Sequence, residues 1–181
     1  LSGARQIGLT PNAVSFSAAV SACEKGRRWE EALWLLREAD AAEVPVSLVM
    51  VSAAISACEK AVQWERALLL LASAQDASLS PDLIAYNATV SACCKGQQWR
   101  EAFHLFGEAR QRGLAPNVIS YGTLISSLET GSDWPRALSL LSEVREAGLQ
   151  LNLIAYGACL EVCERGLQWA RALHMLTDMR R

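Results

Sequence analysis

No segment of this 181-residue chain approaches the ~18–20 consecutive apolar residues of a membrane-spanning helix, so no membrane partner is expected. The first residues, LSGARQIG, contain neither an initiator Met nor the apolar core of a signal peptide, and any targeting information is expected outside this stretch. Histidine is scarce, no CxxC pair exists, and the six cysteines are spaced for neither a zinc ribbon nor a finger. No metal site is expected, and the cysteine usage fits a reducing compartment. A GxxxxGK[ST] phosphate loop is absent, and no cofactor or small-molecule substrate is expected. A basic excess is also missing, since 17 Lys and Arg face 19 Asp and Glu for a net charge of −2. That counts against indiscriminate binding of polyanions, which rests on phosphate contacts, but leaves room for a locally basic groove. What is present is 51% apolar and 20% charged residues, a composition that supports a folded core.

The organising feature is a repeat. Trp29, Trp64, Trp99, Trp134 and Trp169 follow one another at intervals of 35 residues, and Cys23, Cys58, Cys93 and Cys163 keep one phase of the same period, with Leu128 in the remaining slot. The repeats are read as 13–47, 48–82, 83–117, 118–152 and a truncated 153–181, and residues 1–12 as the tail of a preceding repeat. Gly8, Leu9, Pro11 and Asn12 match Gly113, Leu114, Pro116 and Asn117. Because the chain starts and stops inside a repeat, it reads as a piece of a longer array. Tetratricopeptide and ankyrin arrays have other periods.

Each repeat reads as two helices. In the third, Tyr86, Val90 and Cys93 form an i, i+4, i+7 stripe over a helix at 83–95, and Phe16, Val20 and Cys23 do the same in the first. Lys95-Gly96 marks a break, at a turn also marked by Gly26, Gly131 and Gly166. A second helix is predicted over 99–111, burying Ala102, Phe103, Leu105, Phe106 and Ala109, and Pro135 places the start of its counterpart beside Trp134. Gly113-Leu114 and Gly148-Leu149 read as helix stops with an apolar cap contact. Neither helix can bury its stripe alone, so stacked antiparallel hairpins forming an all-α, right-handed superhelical solenoid are expected. The alanines Ala32, Ala67, Ala102, Ala137 and Ala172 let helices approach closely, and the phased Trp and Cys are read as packing residues.

The third repeat, LIAYNATVSACCKGQQWREAFHLFGEARQRGLAPN, resembles a pentatricopeptide repeat. The aliphatic pair before Tyr-Asn, the Cys-Lys-Gly turn, the Glu-Ala-Phe-x-Leu-Phe stretch and the closing Gly-Leu-x-Pro-Asn carry the likeness, and VISYGTLISSL with GLQLN in the fourth repeat extends it. The resemblance covers essentially the whole chain and is nearest the pure 35-residue subclass, while the phase-locked Trp departs from the usual motif and points to a divergent lineage. It implies modular binding of single-stranded RNA, one base per repeat, in organellar RNA stability, processing or translation, in a chloroplast or mitochondrion.

Carried onto these residues, the resemblance implies that the second position of each repeat packs on a base face: Val14, Val49, Ile84, Ile119 and Ile154. The other reading of these five is packing of the first helical turn on the previous hairpin. The fifth and last positions are implied to meet the base edge, as Ser17/Ser47, Ser52/Asp82, Asn87/Asn117 and Gly122/Asn152, with Asn12 closing the preceding repeat and Gly157 opening the last pair. By family analogy Ser52/Asp82 favours G, Asn87/Asn117 favours C over U, Ser17/Ser47 is poorly defined, and the fourth repeat reads weakly, A through Asn152. N-capping is a second role open to Asp82, Asn117 and Asn152. Gly122 and Gly157 sit inside a predicted helix at a cost of about 1 kcal/mol relative to Ala. The implied phosphate-facing residues are Lys25, Lys60, Lys95 and Arg165, with Thr130 breaking the row. Their alternative role is to complement the helix dipole, and Glu24, Glu59, Glu129 and Glu164, one residue earlier, partly cancel their charge.

No catalytic constellation is found, and the chain is read as a binding module. His104 and His174 share a phase with Trp34, Leu69 and Ser139, as an ordinary surface position would. Cys159 and Cys163 are i, i+4, but no phased His or carboxylate joins them as a ligand. The alternative function, from a different class, is a helical scaffold that binds proteins without RNA contact.

Overall fold

The computed structural model describes residues 11–128, 133–150 and 152–178. Among these it forms ten helices and no strand: α1 (Ala13–Lys25), α2 (Trp29–Ala41), α3 (Leu48–Lys60), α4 (Trp64–Asp76), α5 (Leu83–Lys95), α6 (Trp99–Gln111), α7 (Val118–Ser127), α8 (Trp134–Glu146), α9 (Leu153–Arg165) and α10 (Trp169–Asp178). The chain divides into two compact units, Leu1–Ala92 and Cys93–Arg181.

In the first unit, α3 packs on α1 before it and on both neighbouring second helices, α2 and α4. In the second unit, α9 packs in the same way on α7, α8 and α10. Small residues make this stacking possible, because Ala32, Ala67, Ala102 and Ala137 are fully buried where helices cross. Around them in the first unit lie Phe16, Val20, Leu35, Leu36 and Met50, with Trp29 half-buried against the cluster. In the second unit the rings of Phe106 and Tyr121 meet edge to face at 5.1 Å. Phe103 departs from the predicted buried stripe: it is half-buried, with the Arg136 guanidinium 5.6 Å above its ring.

The helix ends explain the sharp hairpins. After α6 the Leu114 N–H donates to the Ala109 carbonyl at 3.0 Å and the Gly113 N–H to that of Arg110 at 2.9 Å, with Gly113 at φ 78°. This is the glycine-terminated stop predicted there. The turn between the two helices of a hairpin uses the same bonds, but its glycine is not the left-handed residue. Gly26 and Gly166 have φ of −82° and −79°, and the positive φ falls on Arg27, Val62, Gln97 and Leu167. The next N–H then reaches back to the phased cysteine, as from Arg28 to the Cys23 carbonyl (2.9 Å) and from Gln168 to that of Cys163 (2.8 Å). Gly131 lies outside the described residues.

The thiols behave as small hydrophobes. Cys58, Cys93, Cys159 and Cys163 are buried and Cys23 and Cys94 half-buried, all six unbridged. Burial pushes the Cys58 and Cys94 thiols up to about 11 and those of Cys93 and Cys159 to about 12. Among the described residues no cluster of His, Cys, Asp and Glu could hold a metal, and no helix is long and apolar enough to cross a membrane.

Candidate nucleic-acid interface

The first helix of each repeat carries the positions singled out above. Its second, fifth and thirteenth residues are three and eleven positions apart, which at 3.6 residues per turn keeps them within about 80° of one another around the axis. Val14, Ser17 and Lys25 therefore share a face of α1, and Val49, Ser52 and Lys60 share the corresponding face of α3.

The aliphatics on that face are not used for packing. Val14, Val49, Ile84, Ile119 and Ile154 are exposed by 74%, 64%, 66%, 68% and 75%. At Val49, Ile84, Ile119 and Ile154 that exposure counts against packing on the previous hairpin; the hairpin before Val14 lies outside the described residues. Five β-branched side chains held in water at one phase forgo much of the roughly 1.5–3 kcal/mol that burying each would contribute.

In the first unit Val14 and Val49 border an open groove of about 430 Å³ that also includes Ser17 and Ser47. Two aliphatics from consecutive repeats thus flank the fifth and last residues of one repeat. One repeat further, Ser52 and Asp82 lie half-buried with exposed Val49 and Ile84 on the same two helices. Ser52 Oγ is a buried side-chain oxygen without a hydrogen-bond partner.

The last-position residues are helix caps. Asn12 Oδ1 accepts from the Ser15 N–H at 3.0 Å, Ser47 Oγ from Met50 at 3.4 Å, Asp82 Oδ1 from Ala85 at 2.9 Å, Asn117 Oδ1 from Ser120 at 3.1 Å and Asn152 Oδ1 from Ala155 at 2.9 Å. Asn117 and Ser120 complete a reciprocal capping box. The caps engage one oxygen of each side chain and fix its orientation. In each Asn the NH₂ takes no part in the cap, and in Asp82 the second carboxylate oxygen takes none.

The fifth-position glycines are not explained by crowding. A β-carbon at Gly157 would meet nothing within 4 Å, and one at Gly122 would meet only Ala155 Cβ at 3.7 Å, an ordinary contact. Space is open where a side chain would stand.

Lys25, Lys60, Lys95 and Arg165 all fall in the last turn of their helices. Lys60 Nζ is 2.8 Å from Glu24 Oε1 of the preceding repeat, so the acidic phase does offset part of the row. Glu59 accepts from Ser91 Oγ at 2.8 Å. Thr130 and Glu129 lie outside the described residues.

Sequence phase did not single out a further set of cations. Arg136 lies 4.8 Å over the Trp99 ring, Arg100 5.1 Å from the same ring and Arg171 4.5 Å over Trp134. The signal was available: Arg136 follows Trp99, and Arg171 follows Trp134, by one repeat plus two residues.

Comparison with known proteins matches this architecture. The model of the PPR repeat family matches residues 81–130, and that of the PPR repeat matches 14–40 and 119–149, together more than half of the chain. No curated protein sequence matches significantly. The fold is similar to the pentatricopeptide repeat protein PPR10 from maize, with a TM-score of 0.82 at 19% identity, over 98% of this chain and 25% of that one. It is similar to PPR10 in complex with an 18-nt psaJ RNA element, with a TM-score of 0.77 at 19% identity, over 97% of this chain and 26% of that one. The PPR domain of Arabidopsis thaliana protein-only RNase P 1 in complex with tRNA matches with a TM-score of 0.79 at 17% identity, over 89% of this chain and 85% of that domain. The chain spans about a quarter of the length of PPR10, and at these identities the likeness establishes an α-solenoid fold.

Proposed function

The chain belongs to the PPR repeat family, and from that premise we propose that it binds single-stranded RNA, one repeat engaging one base. The observation that carries this reading is the exposure of five phased β-branched aliphatics beside capped polar residues. A base enters between the second-position side chains of successive repeats, as between Val14 and Val49, and covers surface that the fold leaves in water. Its edge then meets the fifth and last residues of the repeat.

The caps give the edge contacts a direction. Asp82 spends one oxygen on the Ala85 N–H and turns an acceptor outward, which suits the N–H donors on the Watson–Crick edge of guanine. Asn117 and Asn152 spend Oδ1 in the same way and turn NH₂ donors outward, which suits ring nitrogen and carbonyl acceptors. Capping and base reading thus coexist in one side chain. Lys25, Lys60, Lys95 and Arg165 face the phosphates.

The RNA-bound structures of PPR10 and of the RNase P 1 domain support RNA over a peptide as the occupant. In the family reading the chain is a binding module, not an enzyme, and serves RNA stability, processing or translation in a chloroplast or mitochondrion. Selection from a random single-stranded RNA pool tests the proposal: a short motif with G next to a pyrimidine should be enriched. Failure to enrich any motif, from this chain and from a longer array containing it, would favour the protein-binding scaffold.

A further inference from the structure

We propose that Arg100, Arg136 and Arg171 form a second row of phosphate-binding cations on the hairpin-turn edge of the second unit; the inference rests on the RNA reading. All three are exposed guanidinium groups held over indoles: Arg136 and Arg100 over Trp99 at 4.8 and 5.1 Å, and Arg171 over Trp134 at 4.5 Å. Stacking fixes the plane of a guanidinium and leaves its N–H edge directed away from the ring, the geometry in which Arg takes a phosphate by two parallel hydrogen bonds. Trp99, Arg100, Phe103 and Arg136 line an open cavity of about 470 Å³ with no carboxylate in its walls. Asp133 approaches Arg136 Nε at 3.4 Å from outside that lining.

The surroundings favour an anion there. Each of these arginines sits in the first turn of a second helix, where the dipole is positive and acidic residues are usual. In α8 and α10 the first turn contains no acid, although Asp133 caps α8, and in α6 Glu101 follows Arg100. At one turn the two rows are close along the chain: Arg165 ends α9, and a turn of three residues closed by Gln168 N–H on the Cys163 carbonyl leads to Trp169 and Arg171. The fourth repeat, whose Thr130 interrupts the first row, contributes Arg136 to the second.

Recurrence identifies the occupant. The Trp–Arg stack is repeated one repeat later, which suits a partner whose charge also repeats at regular intervals, as a phosphodiester backbone does. A peptide carboxylate would need only one such site. Guanidinium groups lie over the Trp99 and Trp134 rings, so these two Trp act as supports and do not read bases.

The test uses the whole chain and long-chain inorganic polyphosphate, a polyanion without bases, with binding measured calorimetrically at several salt concentrations. The double variant Arg136→Gln, Arg171→Gln should weaken binding about tenfold and flatten the salt dependence by about 0.7 per lost contact. Arg136→Lys with Arg171→Lys should restore only part of it, because Lys keeps the charge but not the stacked plane or the paired N–H edge. If the double Gln variant melts early, Arg100→Gln, which leaves Arg136 on Trp99, should still lose about two- to threefold. Unchanged binding by these Gln variants would overturn the inference, and polyglutamate binding as tightly as polyphosphate would assign the row to an acidic protein. A chain that selects no RNA motif but still binds polyphosphate through these arginines would sink the base-reading proposal alone.

Discussion

The indole of Trp134 occupies the space that a side chain at Gly166 would need: a β-carbon there would lie 2.9 Å from Trp134 Cγ. The tryptophan of one repeat thus rests on the hairpin turn of the next, and glycine is required by this approach, since its φ of −79° is open to any residue. Gly166→Ala should destabilise the chain by about 1–3 kcal/mol, the usual cost of overpacking. Gly26→Ala is the control, because the nearest side-chain atom there is Arg28 Cγ at 3.4 Å. Urea unfolding of the two variants compares them directly; equal midpoints would contradict the packing argument.

Val62 holds a left-handed φ of 58°, costly for a β-branched side chain, and is 45% exposed, so its removal sacrifices little burial. Val62→Gly should stabilise by roughly 0.5–1 kcal/mol. A lower thermal midpoint for this variant would show that the turn is not strained.

These two positions also mark where sequence reasoning stopped. The helices at 83–95 and 99–111 were legible because apolar spacing, the glycine stop and Pro135 all point the same way. The left-handed residue of the hairpin turn was not, since it is the one after the turn glycine, as Arg27 after Gly26, and Arg, Val, Gln and Leu at that phase share no signal for a positive φ. The half-exposure of Phe103, the Lys60–Glu24 pair and the Trp–Arg stacks depend on distances between repeats, which the phase of a single repeat does not encode. At the candidate interface the phase identified the five aliphatics, but their exposure became visible only once the hairpins were stacked.

Alkali should loosen the fold through its thiols. The ordinary thiol value is 9.0, whereas folding holds Cys58 and Cys94 at about 11 and Cys93 and Cys159 at about 12. Between these values the unfolded chain has released protons that the folded chain retains, so the unfolded state binds fewer and stability falls with rising pH. The thiol contribution is intact below pH 9 and is lost towards pH 11–12. Denaturant midpoints measured from pH 7 upward should be flat and then decline, and the buried Cys58, Cys93, Cys159 and Cys163 should react with a thiol reagent only as the chain opens. Labelling at the rate of a free thiol in the native state would contradict their burial.

Glu24 should act as a brake on phosphate contact, because it holds Lys60 at 2.8 Å. Glu24→Gln should tighten RNA binding a few-fold at low salt, in keeping with one more cation available to phosphate, and steepen the salt dependence by about 0.7. The pair is partly exposed, so the accompanying stability change should stay within about 1 kcal/mol. An unchanged salt slope would remove Lys60 from the phosphate row.

The most direct test of single-base reading is RNA selection with Ser52→Asn beside the unaltered chain. Asp82 keeps its cap on Ala85 in both, and Val49 and Ile84 still flank the site. The account predicts that the enriched motif changes at one position, from G to a pyrimidine, with the other positions and the circular dichroism unchanged. A motif identical in both proteins, or one altered at every position, would contradict it.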